Sequence, residues 1–136
     1  MRTFIWVDSW QQQCCGEDFA VGSTVTWNVV PQNPGTLRWV DDLLGHEWAE
    51  RIEFHEEHHD DVEPPGVTGE VVSIQVATCR LEPKEGGPGM VFVPVPSSGR
   101  LRRVEVADPW EPEPPEDRMG LESFNGWIVE VELAQP

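Results

Sequence analysis

Apolar and polar residues alternate along several short stretches of this chain, a period typical of half-buried β-strands. The clearest example runs from Phe19 to Val29, where Val25 and Trp27 alternate with polar neighbours. The pattern predicts strands at residues 2–7, 19–29, 67–81, 90–95, 100–106 and 124–133. We therefore predict a mainly β fold, a small, partly open β-barrel or sandwich of six to seven strands.

One stretch has a helical period instead. Residues 37–51 place Val40, Leu44 and Trp48 four positions apart, so these side chains share one face of a helix. Acidic residues occupy the opposite face. The sequence thus predicts one amphipathic helix packed over the sheet.

The chain length suits a single folded unit. We predict one β-rich domain over residues 1–136, with an exposed loop rich in proline and acid at about residues 108–118. No run approaches the roughly 18 apolar residues that cross a membrane, and the N-terminus lacks a signal-peptide pattern. These features predict a cytoplasmic protein that does not bind membranes.

The charge balance is strongly acidic, with 25 Asp and Glu against 9 Lys and Arg and a net charge of −16. Such a chain is poorly suited to a nucleic-acid backbone, where basic side chains must replace condensed counterions. Acidity promotes solubility, and it also steers a basic protein partner towards the surface. Three arginines, Arg100, Arg102 and Arg103, form a local basic spot.

Cysteines and histidines supply a candidate metal site. Two or three thiolates with one or two imidazoles, the latter from His55, His58 or His59, would give zinc its preferred tetrahedral set, and the candidate ligands are Cys14, Cys15, His55, His59 and Cys79. The spacing lacks the usual paired C-x-x-C. A second interpretation therefore stays open, in which Cys79 is a small buried apolar residue and the histidines lie on a solvated acidic face.

Residues 55–59, HEEHH, also match the H-E-x-x-H pattern of zinc hydrolases, with Glu56 as the general base. In a helix, that spacing places His55 and His59 on one face. Charged residues at the two middle positions and the Pro64-Pro65 break argue against a buried catalytic helix. A small metal-dependent hydrolase is therefore the alternative hypothesis.

Two of the seven tryptophans fall in loops. Trp10 and Trp110 lie outside the predicted elements, whereas the other five lie within them. Because an exposed indole offers a large apolar area with a polar N–H, we predict that Trp10 and Trp110 contact a partner.

The run 10–19, WQQQCCGEDF, resembles a W-Q-x-Q-C-C-G-E-x-F motif near the N-terminus of a family of small uncharacterised actinobacterial proteins. The acidic stretch with histidines, the later Cys79-Arg80 pair and the final aromatic strand extend the resemblance over nearly the whole chain. That family has no assigned activity. The resemblance implies a domain of unknown function in which the grouping of cysteines and histidines is not accidental.

Three functions follow as hypotheses. The first is a non-catalytic, acidic protein-interaction module, with zinc in a structural role. The second is the metal-dependent hydrolase. The third is an acidic mimic or immunity-type inhibitor of a basic partner.

Overall fold

The computed structural model describes residues 1–9, 18–32, 34–57, 66–84, 92–108 and 121–134. Strands dominate these residues, so the predicted mainly β class is confirmed. No helix among them is long and apolar enough to cross a bilayer. The elements are β1 (Arg2–Asp8), β2 (Phe19–Ala20), β3 (Thr24–Pro31), α1 (Pro34–Leu44), α2 (His46–Arg51), β4 (Ile52–Glu56), β5 (Gly66–Pro83), β6 (Phe92–Pro94), β7 (Arg100–Val104), β8 (Val106–Ala107) and β9 (Leu121–Leu133).

Seven strands form the main sheet, in the order β3-β4-β1-β9-β5-β6, and β7 also pairs with β5. The first residues of β5 pair with β3, from Asn28 opposite Gly66 to Thr24 opposite Glu70. Hydrogen bonds therefore run in a ring from β3 through β4, β1, β9 and β5 back to β3. The predicted count of six to seven strands is confirmed for this sheet.

The long strand β5 holds the sheet together. Its 18 residues pair with β3, β9, β7 and β6 in turn. The β5–β9 register shifts between Val71 and Ser73 and between Ala77 and Thr78. Such irregularities bend a strand and increase its twist, which lets one strand follow the ring and then extend beyond it.

The core has two parts, one on each face of the sheet. The inner part includes Val7, Trp27 and Trp127, with Phe19 against both tryptophan rings at centroid distances of 4.9 and 5.8 Å. The outer part includes Trp6 and Val40 and lies where the helices cover the sheet. The five tryptophans predicted in regular elements are buried or half-buried, as expected for side chains that dominate core burial.

The predicted helix at 37–51 is instead two helices that meet at Gly45. Gly45 has φ 100° and ψ 160°, a conformation that is essentially restricted to glycine. Its N–H donates to the Asp41 carbonyl and its carbonyl accepts from the Ala49 N–H, so the break retains hydrogen bonds to both helices. Ile52, which shares the helical period, is the first residue of β4.

Candidate functional site

The structure describes two of the seven residues that the sequence singles out for metal or partner binding. His55 lies in β4 and Cys79 in β5, and both are buried. The other five residues, Trp10, Cys14, Cys15, His59 and Trp110, lie outside the described residues. The zinc site and the two tryptophan contacts thus remain predictions.

His55 and Cys79 do not lie side by side. His55 pairs with Trp6 in β1, Trp6 with Ile128 in β9, and Ile128 with Gln75 in β5. Cys79 is a further four residues along β5. Because ligands of one zinc ion must all lie within bonding distance of it, these two side chains do not share a site in this arrangement. Within the described ranges, no group of three or more His, Cys, Asp and Glu residues could hold a metal ion.

The helical form of the hydrolase motif is wrong for its first two residues. His55 and Glu56 belong to strand β4, where successive side chains point to opposite faces of the sheet. Glu56 therefore lies beside Phe54, its neighbour two positions back, which packs against the inner core. An H-E-x-x-H zinc site requires a helical backbone, and the extended backbone of β4 does not provide one.

Glu56 is a fully buried carboxyl group inside the ring, with an exposed fraction of 0%. It pairs across the strands with Val29, whose side chain belongs to the inner core. Burial, together with the nearby charges of Glu57 and Asp8, raises the pKa of Glu56 from 4.5 to about 8. The side chain is consequently a neutral acid at pH 7.

The surroundings of Glu56 are partly polar. Trp6 donates its indole Nε1–H to Asp8 Oδ1 at 2.7 Å, at the end of β1. His55 Nε2 lies 3.7 Å from Glu57 Oε2, which is too long for a hydrogen bond. His55 Nδ1 is buried and has no hydrogen-bond partner among the described residues. Because His55 points to the opposite face of the sheet and Glu56 is fully buried, the two side chains do not form an acid–base pair that reaches a substrate in this conformation.

The H-E-x-x-H pattern assigns Glu56 to a catalytic motif, whereas Glu56 is a core residue in the structure. The signal was present in Ile52-Glu53-Phe54-His55-Glu56, where alternation places Glu56 on the same parity as two apolar residues. Because a glutamate is almost never fully buried unless it is paired, this alternation is only a weak indication that Glu56 belongs to the core.

A second feature is the small ribbon of β2 and β8. Phe19 pairs with Ala107 and Ala20 with Val106, and both Phe19 and Ala107 are buried in the inner core. Val106 is 53% exposed and Val21, directly after β2, is 38% exposed. The Val21 N–H donates to the Glu105 carbonyl at 2.9 Å, which places the two valines at the same end of the ribbon.

A family model covers residues 1–133, and its description is a family of unknown function, DUF6578. No curated protein and no solved structure matches the chain. The match spans nearly the whole chain and agrees with the domain of unknown function that the N-terminal motif implies. The chain therefore belongs to the DUF6578 family.

Proposed function

We propose that this chain is a non-catalytic protein-interaction module, and that it binds a basic partner segment on the ribbon of β2 and β8. One observation carries the proposal. Val106 of β8 and Val21, directly after β2, are both exposed at one end of the ribbon, and Met1 is the only other exposed large apolar side chain among those whose exposure the structure describes. Two exposed valines at the same end of one ribbon offer a partner a small apolar contact.

Carboxylates flank the two valines. Asp18 precedes β2, Glu105 precedes β8 and Asp108 follows it, and all three residues are exposed. An apolar pair among acidic side chains is complementary to a partner segment that carries both apolar and basic residues. The net charge of −16 extends the same attraction over a longer range.

The predicted contact tryptophans are close to this ribbon in the chain. Residues 10–17, which begin with Trp10, lead into Asp18, and Trp110 follows Asp108 by two positions. Their proximity in sequence supports the proposal that Trp10 and Trp110 contribute to the same binding surface.

The size of the patch indicates what kind of binding to expect. Two partly exposed valines offer much less than the roughly 800 Å² that each partner buries in a stable complex. Charge must therefore contribute much of the attraction. We expect a transient complex that forms rapidly and weakens as salt screens the carboxylates.

The test is a fluorescence-anisotropy titration with a labelled twelve-residue peptide in which Arg or Lys alternates with Leu or Val. We expect binding at 50 mM salt that weakens about tenfold at 300 mM. A Val21→Ser/Val106→Ser variant should weaken binding about fivefold or more. The matched pair compares Asp18→Asn/Glu105→Gln with Glu53→Gln/Glu82→Gln, two variants with the same change in net charge. Equal affinities for that pair would show non-specific attraction to an acidic surface and would refute the proposed site.

A further inference from the structure

A polar cleft of about 230 Å³ opens where the loop between β6 and β7 meets β5. Arg80 of β5 and Arg100 of β7 line it, together with the loop residues Pro96, Ser97, Ser98 and Gly99. Arg100 pairs with Thr78, two residues before Arg80 in β5. The two arginines are therefore diagonal neighbours on one face of the sheet.

Hydrogen bonds fix the loop against β5. The Val95 N–H donates to the Arg80 carbonyl at 2.9 Å, and the Arg80 N–H donates to Ser98 Oγ at 3.0 Å. The Ser98 hydroxyl donates in turn to the Val95 carbonyl at 2.7 Å. Ser98 thus serves as a brace for the loop, and its hydroxyl hydrogen is already used.

The loop is also fixed against the end of α1. The Ser97 N–H donates to the Asp42 carbonyl at 2.8 Å, and the Gly99 N–H donates to the Leu43 carbonyl at 2.9 Å. A Cβ atom at Gly99 would collide with Leu43 and Leu44, so only glycine allows this close approach. Since these backbone donors are occupied, the donors left for a ligand are the two guanidinium groups and the Ser97 hydroxyl.

The ion pairs found among the described side chains do not include Arg80 or Arg100, and the residue opposite Arg80 in the strand register is Glu122 of β9. Arg2 pairs with Glu130 and Glu132, and Arg51 pairs with Glu47. In a chain with 25 acidic and 9 basic residues, cations are outnumbered, and pairing is the expected outcome. Two neighbouring guanidiniums line this cleft, and the single carboxylate opposite Arg80 balances at most one of them, which favours an external anion.

We propose that this cleft binds a phosphate group, held by the guanidinium groups of Arg80 and Arg100 and by the Ser97 hydroxyl. Two positive charges balance a phosphate dianion, and the planar guanidinium donates two parallel hydrogen bonds to such an oxyanion. The cleft is smaller than the roughly 300–1,000 Å³ of sites for drug-sized ligands, so it suits one acid group. At physiological salt the acidic body is screened beyond about 8 Å, so the nearby arginines determine the local attraction.

The test is an NMR titration in 150 mM NaCl that follows the backbone amide signals of residues 95–100 and the arginine Nε–H signals. Inorganic phosphate and phenyl phosphate are the two probes, and acetate is the comparison. We expect saturable shifts with both phosphates. Tighter binding of phenyl phosphate would identify a monoester as the ligand, whereas tighter binding of inorganic phosphate would identify the free ion.

Three variants distinguish a specific phosphate site from non-specific attraction of phosphate to basic residues. Arg100→Gln should weaken phosphate binding at least tenfold. Arg103→Gln removes the same charge from the opposite face of β7 and should change binding less than twofold. Arg80→Lys keeps the charge but loses the planar fork, and it should weaken binding severalfold with an unchanged melting temperature. Equal losses in Arg100→Gln and Arg103→Gln, equal affinity for acetate, or no saturable shift with phosphate would each overturn the proposal.

Discussion

The buried carboxyl of Glu56 makes the stability of this fold depend on pH. Its pKa rises from 4.5 to about 8 in the folded protein, because burial and the charges of Glu57 and Asp8 disfavour ionisation. Between these two values the folded state binds a proton that the unfolded state has released. The free energy of unfolding therefore falls as pH rises from about 4.5 to about 8.

The size of the effect follows from the two pKa values of Glu56. At about 1.4 kcal/mol per pKa unit, the difference between 4.5 and about 8 corresponds to about 5 kcal/mol once Glu56 is fully ionised. Water that enters with the charge reduces this penalty, so we expect a loss of about 2–5 kcal/mol. That is a large part of the total stability of a typical domain.

The Glu56→Gln variant isolates this term, since the amide is neutral at every pH and nearly equal in size. Urea denaturation followed by tryptophan fluorescence at pH 5.5, 6.5, 7.5 and 8.5 gives the free energy of unfolding of each protein. We expect the advantage of the variant over wild type to grow by about 2–4 kcal/mol from pH 5.5 to pH 8.5. Repulsion among the other carboxylates affects both proteins almost equally, so it largely cancels when the two free energies of unfolding are subtracted.

Glu53→Gln is the matched control, because Glu53 lies in the same strand and is exposed. Its difference from wild type should change by less than about 0.5 kcal/mol over the same pH range. If the difference in free energy of unfolding between Glu56→Gln and wild type is equally independent of pH, this prediction is refuted. Glu56 would then ionise in the folded protein as readily as an exposed glutamate.

Three further predictions concern the backbone and the cysteines. Gly45→Ala forces a side chain into a glycine conformation and should lower the free energy of unfolding by about 1–3 kcal/mol in urea denaturation. Gly99→Ala should cost about 1–3 kcal/mol through its collision with Leu43, whereas Gly66→Ala, which meets only ordinary contacts, should change stability by less than 0.5 kcal/mol. If Cys14 and Cys15 hold a structural zinc ion, protein purified without a histidine tag should contain about one zinc per chain. The Cys14→Ser/Cys15→Ser variant should lose both zinc and thermal stability, and unchanged metal content would contradict that assignment.

Local patterns in the sequence were sufficient to predict most strands. The alternation around Val25 and Trp27 lies in β3, and the final aromatic run lies in β9. Pro94, which cannot donate a hydrogen bond, lies in β6 at the edge of the sheet, as its chemistry requires. These features depend on residues that are close together in the sequence, so short sequence patterns are enough to predict them.

Other features depend on contacts between distant residues. The helical period continued through Gly45 to Ile52, but tertiary packing turned Ile52 into the start of β4. The ring is closed where β3 meets the start of β5, and no local pattern reports that pairing. The burial of Glu56 is hard to predict because acidic residues usually lie at the surface of a protein.

The candidate surfaces were harder to predict than the fold. Arg100 was visible as part of a basic spot, but its proximity to Arg80 arises from strand pairing. The exposure of Val21 and Val106 also contradicts the expectation that apolar residues of a strand are buried. Both surfaces exist because elements far apart in sequence meet in the fold.

The central claim is that the ribbon of β2 and β8 is the binding surface of this chain. The most direct measurement places a nitroxide spin label on the basic peptide and records paramagnetic broadening of the backbone amide signals at 50 mM salt. The account predicts the strongest broadening at residues 18–22 and 105–108, and its loss in the Val21→Ser/Val106→Ser variant. Broadening spread evenly over acidic surfaces, or centred on the helices around Glu47 and Glu50, would contradict it.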